Sequence, residues 1–319
     1  MAVKHRVIPI FIPQKACPYK CVYCNQFAIA GQSAVPQPEA VDHIIQEHLA
    51  TMPADAEKRI AFFGGSFTGM SIEEQTEYLK VAQPYIEQGL VSGIQLSTRP
   101  DYISQEILDN LKVHHVQIIE LGAQSLDDDI LRTVNRGHTV QQVIDASKMI
   151  IDNGFQLGLQ MMIGLPGDTK EKTIRTAETI AALGATCTRI YPTLIVEKTL
   201  LAQWYRNGQY KPLSLEEAVD WCKNIYQFFQ TKGIQVLRVG LHPSEGLLSG
   251  KDYIAGPFHV SFKELVLTAI WHDRIQKEVD AHPGEEIIIS VPANEINYAV
   301  GYNSANKRTF PNVKLRTEN

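Results

Sequence analysis

Residues 16–25 read Ala-Cys-Pro-Tyr-Lys-Cys-Val-Tyr-Cys-Asn and place three cysteines at C-x3-C-x2-C spacing. Thiolates this close together can bind three irons of a 4Fe-4S cluster. No fourth cysteine lies near the loop, so one iron of such a cluster would have no protein ligand. The loop therefore predicts a 4Fe-4S cluster held by Cys17, Cys21 and Cys24, with one iron open.

Two other uses of this cysteine loop match the sequence less well. A structural zinc site needs a fourth ligand, and the next Cys or His after the loop is His43, so zinc is disfavoured but stays open. A disulfide would leave one of the three thiols over, and no apolar N-terminal segment indicates export to an oxidising compartment. We therefore expect a cytoplasmic protein. Cys187 and Cys222 stand alone and are expected to be buried as small hydrophobic residues.

The composition is that of an ordinary globular protein. With 319 residues, 44% of them hydrophobic and 20% charged, the chain can build one large α/β domain and a small appendage. A net charge of -5 argues against a protein dominated by non-specific phosphate binding, although a local basic face is compatible with it. No run of eighteen apolar residues occurs, so we expect no membrane span.

Short β-branched runs alternate with segments of helical spacing through the first two thirds of the chain. Strands are predicted at residues 6–12, 58–63, 94–97, 116–121, 155–163 and 188–192, and another at 235–241 follows a helix over 214–232. Such alternation predicts parallel β-α units, in either an open doubly wound sheet or a closed or partial barrel. The spacing alone does not choose between these two architectures.

The last quarter of the chain differs from the alternating part. Residues 244–260 are rich in glycine, proline and polar residues and are predicted to be a linker or substrate loop, which divides the chain into 1–243, 244–260 and 261–319. The tail predicts a small α+β element whose order is faintly similar to a KH nucleic-acid module, without its second loop glycine. Four basic residues near its end suit a phosphate backbone, but a dimerisation or lid element fits the same pattern. They are Lys307, Arg308, Lys314 and Arg316.

The cysteine loop resembles the signature of the radical S-adenosylmethionine (SAM) enzymes, in which an aromatic residue, here Tyr23, precedes the last cysteine. In that family the amino and carboxylate groups of SAM chelate the open iron. One electron from the cluster then cleaves the sulfonium and gives a 5'-deoxyadenosyl radical. The resemblance implies an α/β fold with a partial (β/α)6 TIM-type barrel, and a 4Fe-4S cluster and SAM as cofactors. We expect this barrel rather than a doubly wound sheet.

Glycines and a serine at the end of the second predicted strand match the family's Gly-Gly motif. By resemblance, Gly64 and Gly65 with their polar neighbour Ser66 would bind the amino group of SAM, although a tight strand-to-helix turn explains the glycines equally well. At the end of the third strand, related enzymes carry an acidic residue that contacts ribose or methionine. Ser97 stands at that place here, which puts the contact in doubt.

Positions on the next three strands complete the SAM pocket that the resemblance implies. Gln124 would bind the ribose hydroxyls and Arg136 the SAM carboxylate, with helix capping and ion pairing as the alternatives. Gln160 takes the place of a polar contact on the ribose side. Gly164 lies in the segment that meets adenine, and Tyr191 either closes the adenine pocket or is a core aromatic residue.

Two further runs, at residues 98–102 and 135–139, resemble the radical-SAM half of the elongator catalytic subunit in its stand-alone bacterial relatives, and also oxygen-independent coproporphyrinogen oxidase. The cluster loop of elongator has a longer first gap, and its acetyltransferase half has no room here. The resemblance implies reductive SAM cleavage for hydrogen abstraction, fed by an electron donor such as flavodoxin or ferredoxin, with tRNA ahead of a small metabolite as substrate. A non-catalytic iron-sulfur scaffold is the other alternative.

Overall fold

The computed structural model describes residues 5–13, 15–17, 20–31 and 34–318. The strands are β1 (His5–Ile12), β2 (Glu57–Gly64), β3 (Ile94–Thr98), β4 (Val116–Gln124), β5 (Gln156–Ile163), β6 (Cys187–Pro192), β7 (Ile195–Val196), β8 (Gln235–Val239), β9 (Tyr253–Ala255), β10 (Ile287–Pro292) and β11 (Val313–Glu318). The helices are α1 (Gln26–Ala30), α2 (Pro38–Thr51), α3 (Ile72–Glu87), α4 (Gln105–Val113), α5 (Asp128–Thr133), α6 (Val140–Asp152), α7 (Lys170–Ala182), α8 (Leu200–Arg206), α9 (Leu215–Thr231), α10 (Glu245–Leu248), α11 (Phe262–Ala281), α12 (Ile296–Val300) and α13 (Ala305–Thr309).

In the described part of the chain, seven parallel strands form one sheet in the order β1-β2-β3-β4-β5-β6-β8. The order follows the chain without the reversal that a doubly wound sheet has at its switch point. The sheet curls into a partial barrel with helices outside, so the α/β fold implied by the resemblance is confirmed. Strand β8 extends it beyond the sixth predicted strand and pairs with β6.

The two faces of this sheet have opposite character. In β5, Leu157, Leu159 and Ile163 are buried against the helices, and each such side chain stabilises the fold by about 1.5–3 kcal/mol. The alternate residues point into the barrel, and there the wall is polar. Gln160 on β5 and Glu120 on β4 both belong to this inner face. The inner wall is therefore available for chemistry while the outer face supplies the core.

Helix α9 covers the sheet as its pattern predicts. Its first turn is closed by a capping box, in which the Glu217 amide donates to Ser214 Oγ and the Ser214 amide donates to Glu217 Oε2. Cys222, Ile225 and Phe229 form its buried face. The helix predicted over residues 214–232 is thus present as α9.

The segment predicted as a linker or substrate loop has structure of its own. It contains α10 and β9, and β9 pairs antiparallel with β7 just after β6. Ser244 Oγ donates to the carbonyl of Ala28 at 2.9 Å, which ties this segment to α1, the helix that follows the cysteine loop. The division into 1–243, 244–260 and 261–319 stays a prediction.

The C-terminal element is built around the long helix α11. Phe262 and Val266 in its first half belong to the main core, while Trp271 in its second half packs in a separate cluster with Phe310. Strands β10 and β11 pair in parallel beside it. Among the described helices, none is both long and apolar enough to span a bilayer.

Candidate cofactor site

A cavity of about 200 Å³ lies at the carboxyl-terminal edge of the sheet. The loop after β1 and the ends of β2 to β5 contribute to its wall. Because parallel strands end at the same edge, residues far apart in sequence meet there. The lining residues are Cys17, Lys20, Cys21, Tyr23, Cys24, Gln26, Gly64, Gly65, Ser97, Thr98, Arg99, Gly122, Gln124, Arg136 and Gln160.

The three thiols of the loop all face this cavity. Burial raises the pKa of the Cys24 thiol to about 12, and the neighbouring charges of Cys21 and Cys17 add to the effect. Burial also raises the pKa of Cys17, although the Arg136 guanidinium opposes the rise. Three thiolates in one cavity repel each other, so they need a positively charged partner, which a metal cluster supplies.

These donors fit a 4Fe-4S cluster by their chemistry. Thiolates are the ligands that hold iron-sulfur clusters, with each cysteine on a different iron. In the described residues, no group of three or more Cys, His, Asp or Glu side chains is arranged around the position of one metal ion. All five cysteines of this part of the chain carry free thiols, and Cys187 and Cys222 are buried as expected.

The cysteine loop is held by backbone hydrogen bonds to two helices. The amide of Val22 donates to the Val134 carbonyl at 3.1 Å, and the Leu201 amide donates to the Val22 carbonyl at 2.7 Å. Asn135 Nδ2 donates to the carbonyl of Lys20 at 3.1 Å. The ends of α5 and the start of α8 therefore set the position of the thiols.

Arg136 closes one side of the cavity and is 7% exposed. Its Nη2 donates to the Gly122 carbonyl at 2.7 Å, and its Nη1 lies 3.7 Å from Cys21 Sγ. Its Nε is buried without a partner among the described residues. A Cβ on residue 122 would lie 2.8 Å from Arg136 Nη2, so a larger residue there would have to displace this guanidinium.

The turn after β2 brings the backbone close to the cysteine loop. A Cβ on Gly65 would lie 2.2 Å from the carbonyl oxygen of Lys15, and one on Gly64 would lie 2.9 Å from the carbonyl of Ile12. The two glycines thus serve a close backbone contact as well as lining the cavity. Ser66 is buried beside them and shares a 3.0 Å hydrogen bond with Thr98 Oγ1, so its hydroxyl does not line the main cavity.

A buried polar network forms the floor of the cavity. Glu120 is 1% exposed and accepts from Arg189 Nε at 2.6 Å and Nη2 at 3.0 Å. Gln160 donates to Glu120 Oε2 at 3.0 Å and to Ser97 Oγ at 2.8 Å. Gln95 donates to the same carboxylate. Glu120 and Arg189 were not predicted as site residues, because their only signal in the sequence is a charge at an inward position of a strand whose outer face is apolar.

Besides Ser66, two of the predicted SAM positions lie outside the cavity wall. Gly164 uses its own backbone groups: its amide donates to Asp168 Oδ2 at 2.9 Å, and its carbonyl accepts from the Tyr210 hydroxyl at 2.5 Å. Tyr191 lies on β6 beyond Gln160, among arginine side chains. Their proposed contacts with adenine stay predictions.

His138 is buried, and neither ring nitrogen makes a hydrogen bond of good geometry among the described residues. Burial lowers its pKa to about 3, and the charges of Arg136 and Arg99 lower it further, against the opposing effects of Asp101 and of the Ala123 backbone. The imidazole is therefore neutral near pH 7. A general-acid role, which needs a pKa close to the working pH, does not suit it.

The family comparisons agree with this arrangement. The profile described as the radical SAM superfamily matches residues 11–180, and that of the radical SAM C-terminal domain matches residues 185–271. A tRNA uridine(34) acetyltransferase from Dehalococcoides mccartyi (strain CBDB1) is 29% identical over 243 residues, 65% of this chain and 53% of that protein. Elongator complex protein 3 of Saccharomyces cerevisiae is 34% identical over 159 residues, 48% of this chain and 27% of that protein.

Solved structures show the same fold. Elp3 of the archaeon Methanocaldococcus infernus, with an N-terminal deletion, superposes with a TM-score of 0.64 at 19% identity, covering 87% of this chain and 64% of that one. Coproporphyrinogen III oxidase from Escherichia coli gives 0.50 at 18% identity, covering 72% of this chain and 53% of that one. The chain spans about half the length of the first curated relatives, whose matched shares are 53% and 48%.

Proposed function

The chain belongs to the radical SAM superfamily of enzymes, and from that premise we propose that Cys17, Cys21 and Cys24 hold a 4Fe-4S cluster whose open iron takes SAM. One observation carries this proposal: a single cavity is lined by all three thiols and by most positions that the resemblance assigns to SAM. Those positions are Tyr23, Gly64, Gly65, Ser97, Gln124, Arg136 and Gln160.

Different residues around the cavity would bind different parts of SAM. A 4Fe-4S cluster bound there would supply the electron for reductive cleavage of SAM, which is the chemistry that leads to hydrogen abstraction in this family. Arg136 would bind the SAM carboxylate, since its Nε has no other partner in the described chain. The backbone at Gly64 and Gly65 would face the amino group, and Gln124 and Gln160 the ribose.

For the substrate, we propose a tRNA. The matched relative from Dehalococcoides mccartyi is named for tRNA uridine 34. The tail carries exposed cations on β11 that support RNA binding: Arg316 is in register with Ser290, and Lys314, in register with Ile288, forms an ion pair with Glu286. Acetyl transfer is not part of the proposal, because the chain matches only about half of that relative. An electron donor such as flavodoxin or ferredoxin and a cytoplasmic location complete the proposal.

The cluster proposal is tested by anaerobic reconstitution. We expect about four irons per chain, a reduced-cluster EPR signal that SAM alters, and production of 5'-deoxyadenosine after reduction. Converting Cys17, Cys21 and Cys24 to alanine should abolish all three, whereas Cys222→Ala, which removes a thiol on the buried face of α9, should abolish none. Stoichiometric zinc without iron after strictly anaerobic purification would disprove the proposal.

The substrate is tested in the same reactions. The reconstituted protein is incubated with total small RNA in one arm and with a metabolite extract in the other, and nucleosides and metabolites are compared by mass spectrometry. A new nucleoside in the RNA arm supports a tRNA substrate. A changed metabolite with unchanged RNA would favour the small-metabolite alternative and leave the SAM chemistry in place.

A further inference from the structure

Two arginines lie side by side on the inner wall of the barrel, beyond the cavity. Arg189 on β6 and Arg238 on β8 are register partners on neighbouring strands. Tyr191 lies two residues after Arg189 on β6, so the alternation of side chains along the strand places it on the same face as both arginines. This part of the wall therefore carries two positive charges at the same height along the sheet.

Only one of these two charges is balanced. Arg189 forms the two-point ion pair with Glu120 described above. Arg238 donates through Nε to the Gly240 carbonyl at 3.1 Å, and its Nη2 lies 3.3 Å from His242 Nδ1. Neither partner is an anion. Within the described residues, no carboxylate pairs with Arg238.

This arrangement is costly for the folded protein on its own. Burial lowers the pKa of Arg238, and the like charge of Arg189 lowers it further, with only Tyr191 opposing. A partly buried cation without a counter-ion lowers stability, and an anion from outside would remove the cost. The guanidinium keeps its Nη1 donors free in the described structure for a planar, two-point contact of the kind that suits phosphate or carboxylate oxygens.

The position of Arg238 links it to the cavity. Gln160, which lines the cavity, is the register partner of Arg189, and Arg189 is the register partner of Arg238. Neighbouring strands lie about 4.8 Å apart, so Arg238 stands roughly 10 Å across the wall from Gln160. His242 is exposed, so this end of the wall is open to solvent.

We propose that Arg238, assisted by His242 and Tyr191, forms a subsite that binds a phosphate group of the substrate. This inference rests on the proposed function, since it takes SAM to occupy the cavity and the substrate to approach from the β6–β8 side. Phosphate is preferred to carboxylate because the proposed substrate is RNA, whose backbone places a phosphate beside every nucleoside. The subsite would hold that phosphate while the base or sugar points toward Gln160.

The test compares Arg238→Gln with Arg175→Gln, which removes the same charge from an exposed position on α7. Binding of uridine 5'-monophosphate, uridine and citrate to the reconstituted protein with SAM is measured by calorimetry. We expect Arg238→Gln to weaken binding of the monophosphate at least about 10-fold. Arg238→Lys keeps the charge but loses the planar two-point contact. Its affinity for the monophosphate should lie between those of Arg238→Gln and the unaltered protein. Arg175→Gln should bind like the unaltered protein, and uridine should bind weakly to every form.

Several results would overturn the subsite. These are equal monophosphate binding by Arg238→Gln and the unaltered protein, tighter binding of citrate than of the monophosphate, or no measurable monophosphate binding. Circular dichroism and the melting temperature establish that each variant is folded. Production of 5'-deoxyadenosine by the unaltered protein is measured in parallel. If that product is missing, the proposed function fails, whereas a lost difference between Arg238→Gln and Arg175→Gln removes only the subsite.

Discussion

The guanidinium of Arg136 lies at the cavity wall with its Nε unpartnered in the described part of the chain. A buried donor without an acceptor costs free energy, so the site is better satisfied when a ligand oxygen reaches it. The contact with Cys21 Sγ places the same guanidinium beside a thiol of the cluster loop. One side chain thus joins the place expected for the cluster to the place expected for the SAM carboxylate.

Replacing Arg136 should therefore weaken SAM binding. We expect Arg136→Gln to raise the dissociation constant at least about 10-fold, because a charge-assisted contact is lost. Equilibrium dialysis of SAM against the reconstituted protein measures the change. The control is Arg132→Gln, at an exposed position on the neighbouring α5. Equal affinities of the two variants would assign Arg136 to the structure of the loop alone.

His138 makes the stability of the protein depend on pH. The unfolded chain binds a proton on this residue near pH 6.5, whereas the folded chain does so only near pH 3. Between these values the unfolded state holds more protons, so stability falls as the pH falls. This single site contributes at most about 1.4 kcal/mol per pH unit.

His138→Leu should therefore reduce the loss of stability on acidification from pH 7 to pH 5. Urea unfolding at several pH values measures this loss as the slope of the free energy of unfolding against pH. His43→Leu, at an exposed position on α2, is the matched control and should leave the slope unchanged. A slope that stays the same in both variants would show that His138 gains a proton at its usual pH in the folded protein.

At the level of the strands, register decides which arginine stabilises the sheet. Arg189 neutralises Glu120, so Arg189→Gln leaves a buried carboxylate unpaired and should lower the free energy of unfolding by about 3–5 kcal/mol. Arg238 neutralises no described carboxylate, so Arg238→Gln should be neutral or stabilising. Urea unfolding of both variants without ligand gives the comparison. Equal losses would mean that Arg238 has a structural anion of its own.

Much of the sheet could be predicted from the sequence because its outer face is apolar at alternate positions. The capping box of α9 could be predicted too, since both of its residues lie within one turn. The polar floor could not, because Glu120 gets its donors from three other strands and these pairings depend on register. Gly158 shows the same limit: it leaves room for Glu120, whose Cγ would lie 2.7 Å from an added Cβ.

Only part of the candidate site could be predicted from the sequence. Motifs at strand ends converge on one cavity because the ends of parallel strands share an edge, and this holds for Gly64, Gln124 and Gln160. Gly164 does not line the cavity: Asp168 in the same turn accepts from its amide, and the Tyr210 hydroxyl, from a later segment, donates to its carbonyl. Contacts made by segments far along the chain cannot be read from a local pattern.

Considered as a whole, the molecule combines a net charge of -5 with a group of four basic residues near its C-terminus, Lys307, Arg308, Lys314 and Arg316. Lys307 and Arg308 on α13 are exposed. If these cations neutralise phosphates of a tRNA, replacing both by glutamine should flatten the dependence of log affinity on log salt by about 1.5–2 units. Filter binding with total tRNA at several salt concentrations measures this slope.

The matched control for the tail is a double variant on the barrel helices. Lys80→Gln with Lys148→Gln removes two exposed charges from α3 and α6 and should leave the salt slope unchanged. A slope that both double variants lower equally would mean that the net charge of the protein, rather than the tail, governs the affinity for RNA.

Helix α11 takes part in two hydrophobic clusters at once, with Phe262 and Val266 in the main core and Trp271 and Ile275 beneath the tail. Helix α11 therefore belongs to both the barrel and the tail. Neither part can unfold fully without exposing apolar side chains that pack against the other. The consequence is mechanical: α11 contacts α9, and α9 lies over β5 and β8. If the tail binds RNA as proposed, a force on the tail would therefore reach the strands that carry Gln160 and Arg238.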